Sequence, residues 1–329
     1  MFRQIVFKRN SLVMKKGILC LVLIIMNIGT LLSQFDAQFS QYMFYNSSFN
    51  PAAVGEGDMI QITGQHRIQW IGMPNGGQTT VFSINSPLKI EKINQGIGLK
   101  FLNDKVGQFT NQTAHLQYAY KMKLGVGTLS VGTDLGFVSI GFHGDSVRNI
   151  SLGSYHDIAG DIQIPKTSVS GIGFDMSLGL FYSTPKYYGG ISFLHLNSPT
   201  VNWGENIKFK QTGSLFITGG YNWVLPDTKF VIKPSTLIKT NFSSMQLDLS
   251  GRVEYDSKYW GGVSYRFQDA VVLMAGINIA GGLSIGYSYD ILTSRIATVS
   301  SGSHEVLVSY SFEYIFEKMK SKYKSIRIL

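Results

Sequence analysis

Residues 270–289 read AVVLMAGINIAGGLSIGYSY, twenty residues without a charge. A hydropathy window would make this a membrane-crossing helix, and the choice between helix and hairpin decides the fold. Gly276, Gly281, Gly282 and Gly286 interrupt it, and Gly281-Gly282 is a hairpin turn signal. After that pair, Leu283, Ile285, Tyr287 and Tyr289 alternate with Ser284, Gly286, Ser288 and Asp290. Period two with one apolar face is a strand, so the stretch predicts two strands.

The alternation recurs. Met245, Leu247, Leu249, Val253 and Tyr255 alternate with Gln246, Asp248, Ser250, Arg252 and Glu254. Ile172, Phe174, Met176, Leu178 and Leu180 alternate with Gly173, Asp175, Ser177 and Gly179. Val306, Val308, Tyr310 and Phe312 alternate with Leu307, Ser309, Ser311 and Glu313. A soluble sandwich shows the same period but carries many Lys and Glu on its polar face. Here that face is mostly Gly, Ser and Gln with a few charges of both signs, which suits a barrel interior. The apolar faces end in aromatics, as interfacial girdles do. The expected fold is all-β, a transmembrane antiparallel outer-membrane β-barrel of about fourteen strands. Closure is required because a bilayer leaves no backbone group unpaired.

The expected strands are 57–70, 77–87, 96–104, 111–122, 128–139, 170–183, 187–196, 211–224, 229–239, 244–256, 259–267, 271–279, 282–290 and 304–316. An even count places both chain ends on one side, expected to be periplasmic. The longest odd-numbered connections, 140–169, 197–210 and 291–303, then face outward. Even-numbered turns such as 184–186, 256–258 and 280–281 are tight, and the connection 86–95 is expected to be a longer exception.

Composition supports this reading. The chain has 329 residues, a net charge of +9 and only 15% charged residues, against about 25% in soluble domains. The charge is local: Arg3, Lys8, Arg9, Lys15 and Lys16 precede residue 34, and Lys318, Lys320, Lys322, Lys324 and Arg327 follow residue 316 with Glu317. Residues 34–316 sum to zero, so no nucleic-acid partner is expected. Met14-Lys15-Lys16 and the uncharged run Gly17–Leu32 read as an export signal ending near Ser33. Cys20, the sole cysteine, lies within that run. A processed chain would have no thiol for catalysis, disulfides or metal binding. The expected division is 1–33 extension and signal, 34–56 an aromatic-rich periplasmic or plug segment, 57–316 barrel, and 317–329 a basic periplasmic tail.

Residues 36–44 read DAQFSQYMF, and Phe49-Asn50-Pro51-Ala52-Ala53 follows. Arg67, Gln69 and Trp70, then Asn103-Asp104-Lys105-Val106-Gly107, Leu194-His195-Leu196 and Lys233-Pro234-Ser235 come in order. Trp260-Gly261-Gly262-Val263-Ser264-Tyr265-Arg266, Gly286-Tyr287-Ser288-Tyr289-Asp290 and Gly302-Ser303-His304-Glu305 complete the series. In order and spacing, this set resembles the PorP/SprF family of outer-membrane proteins associated with type IX secretion and gliding in Bacteroidetes. The resemblance implies a non-enzymatic barrel anchoring periplasmic secretion components and assisting export or surface retention of cargo. Its implied partners are the ring-forming secretion lipoprotein and its partner, a peptidoglycan-binding lipoprotein, and a secreted cargo or adhesin, besides outer-membrane lipid. The rival readings are a channel for small or hydrophobic solutes and, more remotely, a membrane hydrolase, for which no Ser or His stands in a nucleophile-elbow context.

No cofactor or metal site is expected. His143 with Asp145 and His156 with Asp157 read as polar loop clusters. Asp134, Asp175, Asp248, Arg252, Glu254, Arg266, Asp290 and Glu313 fall on the inward parity. They form either an internal network of ion pairs and hydrogen bonds or a lining for substrate, and their mixed signs favour the network. Phe35, Phe39, Tyr42, Phe44, Tyr45 and Phe49 crowd a short leader. The segment packs inside the barrel, docks a periplasmic partner, or forms a lead-in over the barrel mouth.

Overall fold

The structure, a computed structural model, describes residues 36–90, 93–146, 165–204 and 207–313. The wall begins with β1 (Ile60–Ile68), β2 (Gln78–Ile90), β3 (Ile93–Val106), β4 (Phe109–Leu124), β5 (Gly127–His143), β6 (Ser168–Ser183) and β7 (Tyr187–Leu194). After β8 (Thr200–Trp203) and β9 (Ile207–Lys210) come β10 (Ser214–Tyr221), β11 (Trp223–Val224), β12 (Phe230–Thr240) and β13 (Met245–Tyr255). The last are β14 (Tyr259–Arg266), β15 (Ala270–Ile279), β16 (Leu283–Leu292) and β17 (Ser303–Phe312). Sequential neighbours pair antiparallel, and β1 pairs with β17 from Ile60↔Phe312 to Ile68↔His304, closing the wall. β10 and β11 both pair with β12 and act as one wall strand, whereas β8 and β9 pair only with each other. The wall therefore has fourteen antiparallel strands.

The deciding stretch is the hairpin β15–β16, paired from Ala270↔Leu292 to Ile279↔Leu283. Gly281 and Gly282 have φ near +91° and +90°, a backbone that L side chains rarely adopt. A Cβ on Gly282 would also lie 1.9 Å from the Ser311 carbonyl oxygen. Ser288 and Asp290 are fully buried inside, while Ile285 and Tyr287 are exposed outside. The outer band includes Leu99, Leu116, Phe137, Leu180 and Leu273, all exposed. Leu116→Arg, at mid-height of β4, is expected to destabilise the folded barrel by about 2–4 kcal/mol. Urea titration of the heat-modifiable band measures it.

Three expectations change. β2 and β3 stay paired to Ile90↔Ile93, so the connection expected at 86–95 reduces to 91–92. Pro87 removes one ladder donor but does not end the strand. The connection 197–210 contains the β8–β9 hairpin, which folds inward. Its Val201, Trp203 and Phe209 pack on the inward side chains of Val138, Ile140 and Phe142, and Trp203 Nε1 donates to the Ile140 carbonyl at 2.9 Å. Finally, the β17 ladder stops at Phe312, so Glu313 is exposed at the rim and does not line the lumen. The remaining wall order is as expected, with the longest connections on one side (the loop side) and short turns on the other (the turn side).

Candidate functional site: a lumenal segment pinned across the barrel seam

The interior is filled by the chain itself. Residues 36–56 run through the lumen in three short 3-10 turns, Tyr42–Phe44, Asn46–Ser48 and Pro51–Ala53. Asp36 lies near the loop-side end, where its Oδ1 meets His195 Nε2 at 2.9 Å. Gly55 lies near the turn side, its carbonyl accepting from Lys121 Nζ at 2.6 Å. Both wall ends, β1 and β17, meet the turn side, but this segment carries residue 36 to the opposite end. Phe35, the chain termini proper, the tail 317–329 and the pair His156-Asp157 lie outside the described residues.

Four sets of wall groups hold the segment. The first spans the seam where the barrel closes. Arg67 of β1 contacts Asp290 at 2.7 Å and Glu305 at 3.3 Å, and Arg266 of β14 contacts Asp290 at 2.7 Å, Asp248 at 3.2 Å and Asp269 at 3.4 Å. The Ser40 hydroxyl sits at the centre, donating to Asp290 Oδ1 at 2.7 Å and accepting from Arg67 at 2.7 Å and Arg266 at 3.2 Å. Glu305 accepts the backbone N–H groups of Ser40 and Gln41 at 2.7 and 2.8 Å. The pairs Arg67↔Glu305 and Asp248↔Arg266 stand directly opposite in the ladders, so wall register builds half the network. Arg67, Arg266, Asp290 and Glu305 are each at most 1% exposed. Buried charge of this kind is tolerable only because nearly every lobe has a partner.

The second set lies across the lumen. Lys100 Nζ bridges Asp134 at 3.1 Å and the Ser48 carbonyl at 2.9 Å. Gln117 donates to the Ser47 carbonyl and to Asp134 Oδ1, both at 2.9 Å. The third is a chain of alternating carboxylates and imidazoles. His195 Nδ1 lies 2.8 Å from Asp175 Oδ2, and His115 Nε2 lies 3.0 Å from the same oxygen. Burial alone would raise the Asp36 carboxyl, but the His195 imidazolium beside it holds it below the usual carboxylate range.

The fourth set recognises Asn50-Pro51-Ala52. Asn50 caps the last 3-10 turn, accepting from Ala52 N at 3.0 Å, and donates to the Leu180 carbonyl of the wall at 3.0 Å. Below it the wall is glycine. Gly132 and Gly179 face each other in the β5–β6 ladder, and a Cβ on either would lie 2.4 Å from Ala52 N or 2.1 Å from Asn50 Oδ1.

The aromatics of the segment turn onto the wall. Tyr42, Tyr45 and Phe49 are buried, and Phe39 is 9% exposed. Phe49 stacks on Phe216 at 5.7 Å. Phe44 packs on Trp260 at 4.5 Å with Arg252 over its ring at 4.2 Å. Burial pushes the Tyr42 hydroxyl up to about 12, and it bonds Ser250 at 3.0 Å. Glu254 holds Lys233 at 2.8 Å.

Of the inward charges named from sequence, Asp134, Asp175, Asp248, Arg252, Glu254, Arg266 and Asp290 are thus lumenal and partnered, and Glu313 is not. Sequence reasoning missed Arg67, Lys100, His115, His195, Gln117 and Glu305 as parts of these sets. For all but His195 the signal was parity: Glu305 shares its face with Leu307 and Ser309, whereas on β7 even positions such as Ser192 face inward and His195 turns in only where the strand has ended, with φ near +54°. His143 and Asp145 both bond the Ser168 hydroxyl at the loop-side rim. A vestibule of about 1270 Å³ remains on the turn side, lined among others by Glu56, Asp58, Lys89, Lys121 and Lys123.

Residues 31–310 match the family described as "Type IX secretion system membrane protein PorP/SprF". No curated protein matches the sequence. Among solved structures, the CymD monoaromatic hydrocarbon channel is similar at 14% identity, with 88% of this chain and 96% of that chain covered and a TM-score of 0.50. The Pseudomonas putida toluene transporter TodX is similar at 10% identity, covering 86% and 95%, with a TM-score of 0.46. Omp33 of Acinetobacter baumannii is similar at 7% identity, covering 79% and 100%, with a TM-score of 0.45. The likeness to the first of these, at 14% identity, speaks to the fold alone, a membrane-type β-barrel.

Proposed function

Because the chain belongs to the PorP/SprF family of type IX secretion system membrane proteins, we propose that it acts as a closed, non-enzymatic barrel that anchors periplasmic secretion components and assists export or surface retention of cargo. The observation that carries this reading is the filled lumen: residues 36–56 occupy the path a solute would take, held by hydrogen bonds to buried, ion-paired wall groups. A solute channel needs a lining that lets its cargo leave, whereas these charges are spent on one another and on the chain. In this reading the loop side faces the exterior and the turn-side vestibule and basic tail face the periplasm. The periplasmic partners are those of the family: the ring-forming lipoprotein with its partner, and a peptidoglycan-binding lipoprotein. The lumenal segment and its aromatics serve as a plug that keeps the barrel shut while machinery docks beneath it.

Two measurements test the proposal together. Purified protein in planar bilayers is expected to be ion-tight, and crosslinked capture from native envelopes is expected to recover the secretion lipoproteins. A steady open pore with no lipoprotein recovered would establish the channel reading instead.

A further inference from the structure

The lumenal segment grips the wall in two halves. The polar contacts of residues 47–55 fall on early strands. The Ser47 carbonyl accepts from Gln117 of β4, the Ser48 carbonyl from Lys100 of β3, and the Phe49 carbonyl from the Ser192 hydroxyl of β7. Asn50 donates to the Leu180 carbonyl of β6, and Lys121 of β4 donates to the Gly55 carbonyl. Most polar contacts of residues 40–42 fall on late strands. Ser40 and Gln41 bond Asp290 of β16 and Glu305 of β17, and Ser40 also accepts from Arg266 of β14. The Tyr42 hydroxyl meets Ser235 of β12 and Ser250 of β13.

The halves differ in the length of chain they close. The first set joins residues 52 to 143 positions apart, and the second joins residues 193 to 265 positions apart. Shorter loops lose less entropy on closing and form sooner. Residues 47–55 therefore seat on β3–β7 before the late strands are placed, and they hold Ser40–Tyr42 ready. Glu305 then couples the segment to the seam. Its Oε1 accepts the Gln41 N–H at 2.8 Å and Gln65 Nε2 of β1 at 2.7 Å. Its Oε2 accepts the Ser40 N–H at 2.7 Å and Arg67 Nη1 of β1 at 3.3 Å. Each oxygen takes one donor from the segment and one from β1. A β17 strand caught by the segment is thus tethered where β1 must pair, which raises its effective concentration there.

The reverse order is obstructed. Asp36, Ala37 and Gln38 line one loop-side cavity with Phe209 and Gln211 of the inturned hairpin region. To arrive there after closure, the segment would have to pass lengthwise through the lumen. Tyr42, Tyr45 and Phe49 fill their places in that lumen at no more than 5% exposure. Close-packed interiors leave little room for such a passage.

We propose that residues 36–56 guide closure of the barrel. Residues 47–55 seat on the open sheet β3–β7, Ser40–Tyr42 then gather β12–β17, and the β1–β17 ladder forms last. This role is independent of the secretion role proposed above.

Thr63 of β1 and Ser309 of β17 stand opposite across the seam, their hydroxyls 3.3 Å apart. Thr63→Cys with Ser309→Cys, in a full chain carrying Cys20→Ser, reports closure as a disulfide. The chain is refolded from urea into lipid vesicles under mild oxidation, and protease cleavage near residue 50 reports seating of the segment. Protection at residue 50 is expected to precede the disulfide. Gln41→Pro removes the N–H that Glu305 Oε1 accepts. It is expected to delay the disulfide several-fold, with the unfolding rate changed less. Deleting residues 36–54 is expected to delay it roughly tenfold or more. A synthetic peptide 36–56, added to the deleted chain in urea, is expected to restore the rate. The proposal is overturned if the disulfide forms before residue 50 is protected, or if Gln41→Pro leaves the closure rate unchanged and raises only the unfolding rate. Either result means that the segment enters a barrel already closed. Gln41→Pro decides alone if the deleted chain does not fold.

Discussion

Arg266→Ala is expected to destabilise the barrel by about 3–5 kcal/mol, the usual cost of leaving buried charge without its partner. The side chain is 1% exposed and touches Asp248, Asp269, Asp290 and the Ser40 hydroxyl. Truncation leaves three carboxylates close together, with Arg67 the remaining guanidinium on Asp290. Water entering the space would relieve part of this cost, at the expense of the packing around Ser40. The readout is twofold. The temperature or urea concentration at which the compact electrophoretic band unfolds should fall sharply, and the bilayer current should rise from closed to intermittently open as the Ser40 hydroxyl loses one of its anchors and the carboxylates around it repel. Arg266→Lys should recover little, because an ammonium cannot span Asp248, Asp290 and Ser40 as the guanidinium does. A cycle combining Arg67→Met with Glu305→Gln isolates the seam pair, with an expected coupling of roughly 0.5–3 kcal/mol. If Arg266→Ala melts like the parent and stays ion-tight, the network does not pin the segment.

The wall was legible in the sequence because lipid imposes one rule on every strand. Residues such as Leu249 and Val253 must face out, and Asp248 and Glu254 must face in, so period two survives across the chain. The hairpin at Gly281-Gly282 was readable for the same reason, reinforced by a turn that needs positive φ twice. The lumen obeys no such repeat. Arg67 and Glu305 are 238 positions apart in sequence and meet only because the first and last strands close the barrel. Parity could mark Glu305 as inward but could not name its partner. The path of residues 36–56 was hidden for another reason. It follows short 3-10 turns whose side chains answer to the wall, so no internal period betrays it. In sequence Gly179 was one of several small residues on a polar face, and nothing set Gly132 apart. They are the floor on which Asn50-Pro51-Ala52 lies, a role that exists only once wall and segment are brought together.

Gly132→Val is expected to separate the wall from its plug. Gly132 sits mid-strand with an ordinary extended backbone, where valine is the better strand former, so the ladder itself has no reason to object. The obstacle is the segment. A Cβ at this position would lie 2.4 Å from Ala52 N, 2.5 Å from Ala52 Cα and 2.5 Å from the Pro51 carbonyl carbon. These are backbone atoms held by the Asn50 cap, and they cannot swing aside as a flexible side-chain tip would. Overpacking costs about 1–3 kcal/mol where side chains can adjust, and a clash against fixed backbone belongs at the top of that range. The barrel should therefore still assemble and remain heat-modifiable, while Phe49–Ala53 leaves its groove. A lasting ion current and protease cleavage near residue 50 should appear together. Deleting residues 36–54 supplies the control: in that background Gly132→Val has nothing to strike, and its effect on barrel stability should vanish or turn mildly favourable. A variant that stays ion-tight and protease-resistant would show that the segment can be re-seated beside the valine, and that the glycine floor does not set its position.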